Sequence, residues 1–122
     1  MDAYYEICDR IAPGTIIKTP SGRSEFKWVH SDILSVIIEV GKKENWLTIP
    51  SSCFEKLPGF LRGKCWVRIG ATHGIPPENS VDAFLQQFTS GTSVASYVVP
   101  IFEKVGMIEI LRRRPMRVRW IN

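Results

Sequence analysis

Residues that commonly carry chemistry are scarce in this chain. It holds three cysteines, Cys8, Cys53 and Cys65, and two histidines, His30 and His73. No CxxC pair is present, so neither a disulfide framework nor a zinc ribbon is indicated. No apolar run approaches the roughly 18 residues that cross a bilayer, so no membrane partner is expected. The opening residues, MDAYYE, carry neither a basic stretch nor an apolar one, so no secretory leader is expected. Free thiols then fit a reducing, cytoplasmic setting. Gly59–Lys64 places three residues between its glycines where a phosphate loop needs four, and Cys65 follows where Ser or Thr is required. There is no dinucleotide fingerprint, no internal repeat and no low-complexity stretch. No cofactor, no metal and no catalytic residue is therefore assigned.

What is present is an uneven charge. Residues 1–106 hold 11 Lys/Arg and 11 Asp/Glu, and residues 107–122 hold five Arg and one Glu. The whole net charge of +4 thus sits at the C-terminal end. Such a basic block is a footprint for an anionic partner, or a charged edge that blocks unwanted strand pairing.

Hydrophobic spacing predicts an α+β fold. Tyr4, Ile7, Cys8 and Ile11 make one helical face over residues 3–11, with Asp2 as N-cap and Pro13-Gly14 as the stop. Residues 15–50 predict a four-stranded antiparallel meander: 15–19, 25–29, a central apolar strand 33–40, and 46–49 after a polar hairpin loop. Ser52 and Glu55 have capping-box spacing for a helix that Pro58 should shorten or kink. Residues 65–69 alternate as a strand, with Trp66 and Arg68 on one side. Val81, Phe84, Leu85 and Phe88 predict an amphipathic helix capped by Asn79 or Ser80. A second helix is expected from Thr92 as cap to Gly106 as stop, burying Val94, Tyr97, Val98, Ile101 and Val105. Met107–Leu111 and Met116–Ile121 follow as strands around Arg112-Arg113-Arg114-Pro115. Met116, Val118 and Trp120 should face the core, leaving Arg117 and Arg119 outside. The division is residues 1–50 and 51–122, or one compact domain over 1–122.

From residue 51 the order is helix, strand, helix, turn, helix, strand, basic loop, strand. That order resembles the winged helix-turn-helix domain of bacterial and archaeal regulators. The likeness is greatest in SVDAFLQQFTSGTSVASYVVPIFEKVGMIEILRRRPMRVRWI, residues 80–121. It implies a third helix that enters the major groove and a wing on the backbone or minor groove. Carried over by position, the groove residues are Thr92, Ser93, Ser96 and Tyr97. The wing residues are Arg112, Arg113, Arg114, Arg117 and Arg119. The helix's outer face, with Ser93, Ser96, Pro100 and Glu103, lacks the Arg and Lys that base reading leans on. The basic wing is therefore expected to carry the binding, its five cations outnumbering the neighbouring Glu109.

The expectation is a non-enzymatic nucleic-acid-binding protein, DNA ahead of RNA, with a regulatory role. The alternatives are a protein-interaction or scaffold module, as a homodimer or with another protein, and a metal-dependent nuclease. The nuclease reading rests on Glu25-Phe26-Lys27, which puts Glu25 and Lys27 on one strand face, with Asp2, Glu6 or Asp9 as the second acid. Cys53, near a helix start, is expected as a packed thiol rather than a nucleophile. Trp28, Trp46 and Trp66 lie in strands, where packing is the commoner role.

Overall fold

The computed structural model describes residues 3–41, 45–71 and 74–121. The architecture is α+β, with four helices and seven strands among the described residues. Helix α1, Ala3–Arg10, buries Tyr4 and Ile7. Asp2, its expected cap, lies outside the described residues.

Strands β1 (Ile16–Lys18), β2 (Glu25–Ser31), β3 (Ser35–Val40) and β4 (Asn45–Pro50) form an antiparallel meander in that order. Alternation buries Phe26 and Trp28 of β2 and Val36 and Ile38 of β3 on one side. The β1–β2 turn closes through the Gly22 amide, which donates to the Thr19 carbonyl at 2.8 Å. Residues 33 and 34 leave the expected central strand. The Asp32 carboxylate accepts the amides of Leu34 and Ser35 at 2.8 and 3.0 Å, which turns the chain there. Ile33 and Leu34 are consequently exposed.

Helix α2, Ser51–Leu61, runs on from β4. Its expected Ser52–Glu55 capping box does not form: the N-cap is Pro50, with no side-chain capping bond. The Ser51 amide instead donates to the Leu34 carbonyl at 2.8 Å, so a neighbouring turn satisfies the helix start. Pro58 does not end the helix; it is buried within it. The missing amide costs one backbone bond, and burial of Phe54, Leu57 and Leu61 holds the element together.

A second sheet has strand order β5-β7-β6, from β5 (Val67–Arg68), β6 (Ile108–Leu111) and β7 (Arg117–Trp120). The expected strand 65–69 contracts to two residues because only Val67 and Arg68 find partners on β7. Between β5 and β6 lie α3 (Val81–Gln86) and α4 (Ala95–Lys104). Ser80 caps α3, its hydroxyl oxygen accepting the Ala83 amide at 3.1 Å. Thr92 is not the cap of α4. That helix begins three residues later, after Val94, with no side-chain capping bond. Gly106 ends it at φ 78°, a left-handed position that glycine takes without steric cost.

Among the described residues, the buried apolar side chains form one cluster drawn from residues on both sides of position 50. Phe84, Phe88, Met116 and Trp120 are only partly buried at its margin, while Val81, Leu85, Val94, Val98, Ile101 and Val118 are inside. Tyr4 meets Phe54 at 5.5 Å between ring centroids, and the Arg10 guanidinium donates to the Val105 carbonyl at 2.7 Å. No helix among the described residues is long and apolar enough to cross a membrane.

Candidate nucleic-acid interface

The second sheet has an inner and an outer side. Val67, Val118 and Ile110 lie abreast across its three strands, with Val67 and Val118 buried. The next row, Arg68, Arg117 and Leu111, therefore points the other way. Arg119 lies on that outer side as well. It pairs with Glu109 across the ladder, and its guanidinium stacks 4.8 Å from the Trp66 ring centroid. The outer face thus gathers Trp66, Arg68, Arg117 and Arg119, and the loop at residues 112–115 extends it.

The five arginines are not equivalent. Arg112 is tied inward. Its guanidinium donates twice to the Glu103 carboxylate, at 2.8 Å each, and once to the Pro20 carbonyl at 3.1 Å. Those bonds to Glu103 push its pKa further up. Arg119 is occupied by Glu109. The expectation that Glu109 alone faces the arginines is therefore corrected: α4 brings up Glu103, which strand alternation could not reveal. Arg113, Arg114 and Arg117 form no ion pair among the described residues, and neither does Arg68.

The helix expected to meet bases is enclosed. Six of the ten residues of α4 are buried, Pro100 among them. Pro100 was expected on an outer face, and that expectation fails because Pro100 is buried, on a helix that the meander also reaches. The Phe26 ring of β2 meets the Tyr97 ring edge-on at 5.2 Å. Thr92 and Ser93 lie in the turn before α4, both exposed. The Ser93 hydroxyl donates to Asp82 Oδ1 at 2.8 Å. Asp82 itself is fully buried and also accepts from Gln86 Nε2 at 3.0 Å. Ser96 and Tyr97 are half-buried and line a cavity of about 700 Å³ with Arg68 and Arg114.

Arg68 is the residue that sequence reasoning left out of the site. Its signal was available: Trp66 and Arg68 alternate together, and a strand order with β5 beside β7 brings them level with Arg119 and Arg117. The other constellations stay apart. Glu25 is exposed, and Lys27 reaches Glu39 across the sheet at 3.9 Å. Among the described residues no three His, Cys, Asp or Glu side chains gather where a metal ion could be held. His73, like Asp2, lies outside the described residues. Cys53 is completely buried, and that burial pushes its thiol up to about 11. Trp28 is in the core, whereas Trp46 is mostly exposed. No protein-family model, no curated protein and no solved structure matches this chain.

Proposed function

We propose that this chain is a non-enzymatic nucleic-acid-binding protein of the winged-helix type. It holds the phosphate backbone, of DNA ahead of RNA, with the outer face of its second sheet and the adjoining basic loop. The connectivity α2-β5-α3-α4-β6-β7, with strand order β5-β7-β6, supports the winged-helix part of this reading. One observation carries the binding part. Arg68 and Arg117 stand directly opposite each other on paired strands, and no carboxylate among the described residues forms an ion pair with either. Like charges so placed destabilise a sheet. A phosphate laid across them relieves the repulsion, and Arg113 and Arg114 extend the same positive field.

Base reading by α4 is not part of the proposal. The helix is largely enclosed, and Ser93 is bonded to Asp82. Binding through phosphate contacts positions a duplex without specifying sequence.

The test is a titration of labelled DNA duplexes of unrelated sequence, at low salt and with Mg²⁺ present. Replacing Arg113, Arg114 and Arg117 together by Ala should weaken binding about equally on every duplex. Absence of binding, or binding unchanged by the triple substitution, overturns the proposal and leaves a protein-interaction module as the reading. Cleavage abolished by Glu25→Gln would establish the nuclease instead.

A further inference from the structure

The cavity beside the arginines has a composition of its own. Its volume of about 700 Å³ suits a small ligand of nucleotide size. Three separate parts of the chain build it: the β1–β2 turn, the end of β5, and the loop before β7, with the first turn of α4 closing one wall. None of the described residues lining it is Asp or Glu, whereas Arg68 and Arg114 both are present. Its local charge is therefore uncompensated from within.

The lining also holds donors that are not spent elsewhere. The hydroxyls of Ser24, Ser96 and Tyr97 make no hydrogen bond among the described residues. Apolar surface completes the wall, from Pro115 and Met116. Gly70 lets the chain pass close to α3 at this point. Its φ is +73°, and a Cβ there would come within 2.5 Å of the Ser80 hydroxyl oxygen. Any side chain at this position would thus collide with Ser80, so the chain next to Arg68 and Ile69 keeps its place only with glycine here.

We infer that this cavity binds the terminal phosphate monoester of a nucleotide, with the phosphate between Arg68 and Arg114 and the base against the apolar wall. Charge decides between a monoester and a chain phosphodiester. A phosphate monoester carries about −1.5 to −2 at neutral pH and offers three free oxygens. Two guanidinium forks match that charge and those acceptors, whereas an internal phosphodiester carries a single charge and has fewer free oxygens. The hydroxyls of Ser24, Ser96 and Tyr97 supply further donors for phosphate or sugar oxygens. Two sources present this chemistry: a free nucleoside monophosphate, and the phosphorylated end of a strand. The second rests on the nucleic-acid reading above, because the strand would leave the cavity along Arg117 and Arg113.

The experiment compares four probes on the whole chain: AMP, inorganic phosphate, and one short single-stranded oligonucleotide with a 5′-phosphate or a 5′-hydroxyl. A strand-end site binds the 5′-phosphorylated oligonucleotide about tenfold tighter than its 5′-hydroxyl twin, the worth of one charge-assisted hydrogen bond. A free-nucleotide site binds AMP while the two oligonucleotides bind alike. In both cases AMP competes better than inorganic phosphate, because the base contributes. Arg68→Gln with Arg114→Gln should abolish the discrimination. Ser96→Ala, which leaves the arginines in place, should reduce it severalfold, and thermal melts confirm that each variant is folded.

No preference for the phosphorylated end together with no AMP binding overturns the inference, even if duplexes bind through Arg113 and Arg117 as proposed. AMP binding without any polynucleotide binding sustains the cavity and overturns the nucleic-acid reading. Discrimination that survives the double substitution, or inorganic phosphate competing as well as AMP, refutes the assignment of this cavity to a nucleotide.

Discussion

Replacing Arg112 by Ala separates a fold-holding arginine from a ligand-holding one. Its guanidinium is committed to Glu103 and to the Pro20 carbonyl, and half of its side chain is still exposed. Solvent screening limits the ion pair to about 0.2–1 kcal/mol. The bond to the carbonyl adds about 1 kcal/mol. The loss should therefore total about 1–2 kcal/mol, which for a domain of this size lowers the melting temperature by about 4–8 °C. Salt dependence should hardly change. Four cations without carboxylate partners, Arg68, Arg113, Arg114 and Arg117, give a slope of log K against log salt of about −3.6 on duplex DNA. Engagement of all five C-terminal arginines and Arg68 would give about −5.4 by the same relation. Arg117→Ala should do the reverse of Arg112→Ala, flattening the slope by about 0.9 and leaving the melt within about 0.5 kcal/mol. The assay is fluorescence anisotropy between about 50 and 200 mM salt, with circular-dichroism melts of each variant. A slope that flattens by about one unit in Arg112→Ala, with no change in melting, would show that Arg112 meets phosphate and refute the assignment.

Three further outcomes follow from groups away from the arginines. Asp82→Ala removes a buried acceptor of two side-chain bonds and should cost about 2–3 kcal/mol; paired with Ser93→Ala in a double-mutant cycle measured by urea unfolding, it should show a coupling of about 1 kcal/mol or more. Alkylation at about pH 8 should label exposed Cys65 and spare Cys53, whose thiol is buried and pushed up to about 11, until denaturant is added. The amides of Leu34 and Ser35 hold the Asp32 carboxyl below its ordinary value in the folded chain. Its stabilising effect is therefore complete above the unfolded value near 3.8 and is lost as pH falls through the lower folded value. Asp32→Asn should accordingly flatten the acid limb of stability in urea midpoints taken between about pH 5 and pH 2.

Elements with strong local periodicity were legible in the sequence. The meander was readable from the alternation of Phe26 and Trp28 and from the apolar, β-branched run 33–40, and α3 from Val81 and Leu85 with Ser80 before them. What failed depended on long-range partners. The Ser52–Glu55 spacing matched a capping box, yet Leu34 arrives from the preceding turn and takes the Ser51 amide instead. Thr92 was a plausible cap until Ser93 found the buried Asp82, eleven positions earlier. The charge of the C-terminal arginines was counted correctly, but their partners were not. Glu103 lies nine residues before Arg112 on a different element, and only the folded chain places the two in contact. Arg68 was seen as an outward residue and missed as a member of the interface, because its partner strand is some fifty residues away.

The enclosure of α4 has a consequence for how this chain can change over generations. A helix that projects from a protein offers outward positions where substitutions alter what it touches without disturbing what holds it. Here Ala95, Val98, Val99, Pro100, Ile101 and Phe102 are internal, so most changes along the helix are changes to packing. New preferences for a partner have to be written in the turns that border the cavity and the sheet, at exposed positions such as Ser21, Arg23, Ser24, Arg113 and Arg114. Those segments can take up variation that the helix between them cannot.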